Sequence, residues 1–296
     1  MHWPCIITAM VTPFTEHGEL DEPRAESLAH WLVTHGSEGL VVAGTTGESP
    51  TLSESERERL YHATRRGAGS IPILVGTGSN DTRRTIELSR QAHGWGADGA
   101  LVVTPYYNRP PQEGLYRHFV EVAEHVSLPL MLYNVPSRTG VNLAPDTASR
   151  ITRACPQVVA IKEASGRIET LEALHQECPE TLIYAGDDAL FYPGLMLGAH
   201  GVVSVATHVV GVEMQMLVQA FRQRDLDRAL EIHRQLLPIF RDLFVWPNPI
   251  PVKWLLNHVG RPVGPLRFPL MYPDETSSLE HLRDYLETLQ TTDKSS

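Results

Sequence analysis

Lysine is scarce in this chain: of its 25 basic residues only Lys162, Lys253 and Lys294 are lysines. Lys294 sits in the polar C-terminal stretch TTDKSS, and Lys253 follows the Pro-rich PNPIP turn. Lys162 is different, because it interrupts the apolar run VVAIKEA, where burying a charge is costly. Arginine cannot form an imine, whereas a desolvated lysine gives up its proton more readily and can attack a carbonyl. The residue types that would assist such chemistry recur at the ends of other apolar runs. They are Gly44-Thr45-Thr46-Gly47-Glu48, Tyr106-Tyr107-Asn108, Tyr133-Asn134 leading into Val135-Pro136-Ser137-Arg138-Thr139-Gly140, and Gly186-Asp187-Asp188. If these runs are strands of one barrel, their ends bring hydroxyl groups and one amine to a single mouth. Taken singly, each motif also fits a plainer account. GTTGE can be a βα turn, the tyrosines interface aromatics, Arg138 a surface arginine, and Asp187 and Asp188 helix caps rather than metal ligands.

The elements that would carry these residues alternate regularly. Eight β-branched runs cover 5–14, 39–48, 71–79, 99–108, 128–136, 158–165, 181–188 and 201–207. They start roughly 30 residues apart, closing to about 20 at the end, the repeat of βα units. Their nearly unbroken apolar character suits strands covered on both faces. Between them lie amphipathic stretches: Ser53 and Glu56 form a capping box, and Leu115, Phe119, Val122, Ala123 and Val126 recur at helical period. No GxGxxG follows the first strand and no GxxxxGK[ST] occurs, which disfavours an open nucleotide-binding sheet. The prediction is an α/β fold, a (β/α)8 TIM barrel over residues 1–224. Residues 225–296 form a small C-terminal helical domain, with helices near 225–243, 249–259 and 276–290.

Composition narrows the class further. A chain of 296 residues suits one barrel of this kind, and no run of eighteen apolar residues is present to span a membrane. The first residues carry no basic region or cleavage site, so a cytoplasmic location is expected. A net charge of −10 disfavours nucleic acid and anionic membrane as partners. Cys5, Cys155 and Cys178 show neither metal-ligand nor redox spacing and read as buried, reduced thiols.

These motifs together resemble the dihydrodipicolinate synthase family, within the pyruvate-dependent Schiff-base aldolases that include N-acetylneuraminate lyase. The resemblance spans about residues 4 to 270 and is densest in VTPYYNRPPQEGLY, LYNVPSRTG, VVAIKEASG, GDD and FVWPNPIPVKW. It implies a lyase that binds pyruvate as an imine on Lys162. That imine would be condensed with L-aspartate 4-semialdehyde, giving 4-hydroxy-tetrahydrodipicolinate in the diaminopimelate route to lysine. By the same resemblance Tyr133, Thr45 and Tyr107 form the proton relay, with Tyr107 supplied by a neighbouring subunit. Thr46 joins Thr45 in holding the pyruvate carboxylate, Arg138 clamps the semialdehyde, and Gly186 and Val203 line the pocket. The lysine imine is the electron sink, so neither metal nor organic cofactor is implied. The expected assembly is a homotetramer, a dimer of tight dimers.

Members of this family are often inhibited by L-lysine at the tight-dimer interface. The corresponding positions here are Ser49, Glu54, Arg57, Asn80, Arg84 and Tyr106. Ser49, Asn80 and Tyr106 fit, but Arg84 replaces a glutamate, and Glu54 and Arg57 replace histidines. An arginine facing an ammonium repels it, so weak or absent lysine feedback is expected. Two other functions compete: a 2-keto-3-deoxy sugar acid aldolase using the same lysine, and a non-catalytic keto-acid-binding relative. Arg138 and Tyr107 disfavour the first; retention of Lys162 and Tyr133 disfavours the second.

Overall fold

The computed structural model describes residues 3–292, so Lys294 lies outside the described residues. Eight parallel strands close into a barrel in sequence order, β1 to β8. They are β1 (Ile6–Ala9), β2 (Gly39–Val42), β3 (Ile73–Gly76), β4 (Gly99–Val103), β5 (Leu130–Asn134), β6 (Val158–Glu163), β7 (Leu182–Ala185) and β8 (Gly201–Ser204). All eight expected strands form. Each is shorter than its apolar run, whose last residues pass into the following loop: they stay buried after β1, at residues 10–14, but are exposed after β4, at Tyr106, Tyr107 and Asn108.

Helices return the chain outside the barrel: α1 (Glu22–Thr34), α2 (Glu54–Ala68), α3 (Thr82–Trp95) and α4 (Gln112–His125) serve the first half. The second half uses the short α5 (Pro136–Thr139), then α6 (Pro145–Ala154), α7 (Ile168–Glu177), α8 (Phe191–Met196) and α9 (Thr207–Arg222). The capping box at α2 forms as expected: Glu56 N–H donates to Ser53 Oγ, and Ser53 N–H to the Glu56 carboxylate, at 3.2 and 2.9 Å.

Strand alternation sorts the core into two regions. Outward residues such as Leu40, Val75, Leu132 and Ile161 join the layer against the helices, while Ile7, Val41, Leu74, Met131 and Tyr184 fill the barrel. Trp3 closes the N-terminal end of the strands, and Gly99 makes room for it, since a Cβ there would lie 2.9 Å from the indole. The three cysteines are buried and free, at the start of β1 and at the ends of α6 and α7.

Beyond α9 the chain is helical, as expected: α10 (Leu226–Asp242), α11 (Ile250–His258) and α12 (Ser277–Thr292). Leu236, Phe240, Leu255 and Leu282 belong to the same apolar cluster as the barrel's outer layer, so the extension shares one core with it. Polar ties reinforce this. The Arg267 guanidinium donates to Thr51 O and Gly18 O, both at 2.8 Å, and pairs with Glu56, whose carboxyl it holds at about 2. Gly264, at φ 76°, lies so close to Phe14 O that any side chain there would collide with backbone.

Candidate active site

In a parallel barrel the C-terminal strand ends share one mouth, and inward residues near those ends face it. On β6, Ile161 and Glu163 point outward, so Lys162 between them points in; on β5 the same alternation turns Tyr133 inward between Leu132 and Asn134. The β5–β6 register sets Tyr133 beside Lys162 and Asn134 beside Glu163. Lys162 Nζ therefore lies 4.4 Å from the centre of the Tyr133 ring. Its side chain is 6 % exposed, with no hydrogen bond or ion pair among the described residues.

Behind this pair the outward partners lock together. Asn134 Nδ2 donates to Glu163 Oε2 at 2.7 Å, and Ser165 N–H donates to Glu163 Oε1 at 2.6 Å. Burial pushes the Glu163 carboxyl above its usual range, opposed by these two donors. The cross-link fixes the strand ends that carry Lys162 and Tyr133.

Lys162 and Tyr133 open into a cavity of about 290 Å³ that is also lined by Thr45, Thr46, Arg138 and Gly186. Five of the seven residues expected in catalysis and substrate binding besides Lys162 thus share one chamber with it, over an apolar floor of Ala9, Val41 and Leu101. Gly186 is sterically required: a Cβ there would lie 2.9 Å from Lys162 Cε and 2.6 Å from Ala164 Cβ. Arg138 belongs to α5, which the left-handed Gly140 terminates. Its Nη2 donates to Asn248 O at 3.1 Å, and no carboxylate of the described residues pairs with it. An unpaired guanidinium lining the same chamber as a buried amine suits a substrate that carries a carboxylate.

The Thr45–Thr46 loop is bracketed by two strained residues, Ala43 at φ 51° and Glu48 at φ 54°. Left-handed backbone at a residue with a Cβ costs about 1–3 kcal/mol and persists only where the surroundings impose it. They do so here: Thr12 Oγ1 donates to Gly47 O at 2.6 Å, and Lys253 Nζ donates to Glu48 Oε1 at 2.8 Å.

Two expected residues lie elsewhere. Tyr107 is 89 % exposed, at φ 72°, outside the chamber; its N–H donates to Thr139 O at 3.3 Å beside the Arg138 helix. Val203 is packed in the barrel interior, and Val205, two residues on, reaches the chamber instead. Of the two aspartates expected to cap, Asp187 does so, accepting from Ala189 N–H at 2.9 Å. Asp188 does not: its Oδ2 accepts the N–H groups of Val205 and Ala206, tying β7 to the end of β8, and burial raises its carboxyl to about 6.

Sequence reasoning missed Asn248 and the Lys253–Glu48 pair. The PNPIP segment read as turn chemistry, yet its Asn248 lines the chamber and donates through Nδ2 to Thr46 Oγ1 at 2.9 Å. A polar residue between prolines was the available signal. Of the six positions expected to correspond to a lysine-binding site, four are joined in two pairs, Arg57 with Ser49 and Arg84 with Glu54. Arg57 donates to Ser49 O, Ser49 Oγ and Gly76 O, while Arg84 pairs with Glu54 at 2.7 Å and Glu87 at 3.5 Å. Asn80 O accepts from Asn108 Nδ2, and Tyr106 is half-exposed. For a metal, ligand atoms converge only at Glu121, Glu124 and His125 among the described residues, an exposed cluster on α4 outside the chamber.

A closed barrel with a buried lysine among hydroxyls and an unpaired arginine has the architecture of a Schiff-base lyase. Residues 3–289 match the Dihydrodipicolinate synthetase family, and the chain belongs to that family. It is 52 % identical to the 4-hydroxy-tetrahydrodipicolinate synthase of Cyanothece sp., over 96 % of this chain and 97 % of that one. With the enzyme of the same name from Moorella thermoacetica it shares 48 % identity, over 92 % and 93 %. Its structure superposes with a TM-score of 0.94 on dihydrodipicolinate synthase from Cyanidioschyzon merolae with lysine bound, 41 % identical over 97 % of this chain and 98 % of that one.

Proposed function

We propose that the chamber condenses pyruvate with L-aspartate 4-semialdehyde to give 4-hydroxy-tetrahydrodipicolinate in the diaminopimelate route to lysine. The chain is a lyase of the family named above, and its full-length relatives carry that activity in their names. The observation that carries the residue assignment is the unpaired, buried amine of Lys162 beside Tyr133, in the cavity that also holds Thr45, Thr46 and Arg138.

In this reading the Lys162 amine adds to the pyruvate ketone and water leaves, forming an imine. Thr45 and Thr46 hold the carboxylate. A methyl proton passes to Tyr133, and the resulting enamine attacks the semialdehyde's aldehyde carbon, whose oxygen takes a proton from the relay. The substrate's own amino group then attacks the imine carbon, releasing Lys162 and closing the ring. Arg138 orients the semialdehyde carboxylate bidentately. The imine is the electron sink, so the scheme calls for no metal or organic cofactor.

Tyr107 completes the relay from a neighbouring subunit. Its 89 % exposure and left-handed backbone support this, since an aromatic held outward at a conformational cost suits a partner's surface. A dimer of tight dimers and a cytoplasmic location complete the reading; among the described residues no helix is long and apolar enough to cross a membrane. Lysine feedback is weak or absent, because Arg57 and Arg84 bring cations where an ammonium would have to bind. Calorimetric titration with L-lysine should give no saturable heat in the low-millimolar range; a tight complex would remove this part of the reading.

The test of function is the initial rate with both substrates, coupled to reductase consumption of NADPH. Saturable turnover, abolished in Lys162→Ala, establishes it. Borohydride trapping of pyruvate without turnover would instead favour a sugar-acid aldolase.

A further inference from the structure

Lys253 is the most completely enclosed charge among the described residues. Its ammonium donates to Thr12 O at 3.0 Å, Glu48 Oε1 at 2.8 Å and Pro265 O at 2.7 Å, so all three of its hydrogens are used. These acceptors come from the loop after β1, the loop after β2 and the segment beyond α11. The other Glu48 oxygen accepts Arg267 N–H at 2.8 Å. Lys253 and Glu48 have side chains 0 % and 1 % exposed. An apolar pair would fill such a space at less desolvation cost, so an ion pair here serves direction rather than bulk.

What it directs is the substrate loop. Glu48 N–H donates to Thr45 O at 3.1 Å, and Glu48 itself is in the left-handed region. Released, that residue relaxes to an ordinary backbone conformation, and the loop carrying Thr45 and Thr46 turns with it. We propose that the Lys253–Glu48 ion pair is a positioning device for the chamber: it holds the strained loop so that Thr45 and Thr46 face the keto acid. Lys253 touches no substrate and is a positioning residue, and through it the C-terminal helices take part in binding. Burial pulls the Lys253 ammonium below the usual lysine range while Glu48 pulls it back, consistent with a charge retained for its partner.

The proposal rests on the reading that pyruvate binds Lys162 in this chamber, and borohydride trapping at graded pyruvate concentrations separates the two. Lys253→Met and the double variant Glu48→Gln/Lys253→Met are compared with the unaltered chain, alongside thermal melting. The expected result is a roughly tenfold or larger rise in the pyruvate concentration for half-maximal trapping in both variants. In the double variant, which leaves no orphaned charge, the melting temperature recovers while the raised pyruvate requirement stays. A double variant that traps like the unaltered chain would overturn the proposal, showing that the pair serves folding alone. So would the failure of both variants to fold, which would make the pair a requirement of the barrel itself. No trapping by the unaltered chain at saturating pyruvate would instead overturn the Schiff-base reading.

Discussion

Lys162 and Lys253 are both buried, 6 % and 0 % exposed, yet their surroundings treat them in opposite ways. Around Lys253 the chain supplies two backbone carbonyls and a carboxylate; around Lys162 it supplies an aromatic face and open volume. A satisfied ammonium is held charged and chemically quiet, since its lone pair is tied up as N–H. An unsatisfied amine beside a cavity is left free to bond to carbon. What separates a structural lysine from a reactive one is therefore the count of acceptors within reach, rather than burial.

The sharpest way to break this contrast is to remove each lysine in turn. Lys162→Ala should lower turnover by on the order of 10⁴-fold or more, the scale of losing a covalent nucleophile. Its melting temperature should stay within a few degrees, because no partner is orphaned; a large drop in melting would contradict that account. Lys253→Met should do the reverse in stability, leaving Glu48 buried and unpaired at a cost of about 3–5 kcal/mol, or on the order of 10 °C in melting. Denaturant titration measures it, and an unchanged midpoint would refute the assignment of that pair.

Smaller effects sharpen the reactive side. Tyr133→Phe keeps the ring against Lys162 but removes the hydroxyl, so turnover should fall about 10²- to 10⁴-fold while pyruvate is still trapped. Loss of trapping instead would move Tyr133 from proton transfer to imine formation.

The smallest expected effect concerns a third buried base. His208 accepts Val11 N–H at 3.2 Å through Nε2 and bonds Val205 O through Nδ1, and burial lowers it to about 4. The unfolded chain therefore binds its proton first as pH falls from 6.5 toward 4, and stability is lost across that window, by on the order of 2–3 kcal/mol. His118, likewise lowered to about 4 by burial, adds to the same slope. In His208→Gln the slope should flatten, which chemical denaturation at pH 7 and pH 5 would read.

The barrel was legible because its strands are buried on both faces, and eight such runs at regular spacing allow few other arrangements. Lys162 was legible for the same reason: a lone basic residue inside an apolar run has few structural uses. Strand alternation could place Tyr133 beside it, but not Val203, whose burial in the barrel interior depends on how far β8 reaches before the chain turns outward. Asn248, Glu48 and Lys253 were not legible as a group. Glu48 lies about 200 residues before Asn248 and Lys253, and the three meet only once the C-terminal helices fold back on the loops after β1 and β2. The strain at Ala43 and Glu48 likewise has no signature in residue type, since both side chains favour ordinary backbone.

The three thiols lead to a different use of the molecule. Cys5, Cys155 and Cys178 are all buried, and burial raises each, Cys5 to about 12, so almost none is present as thiolate at neutral pH. An alkylating reagent then meets a reactive sulfur only when the chain opens. Cys5 directly precedes the first barrel strand and the others cap the C-terminal ends of outer helices α6 and α7, so the order in which mass spectrometry finds them labelled is a native record of which layer loosens first.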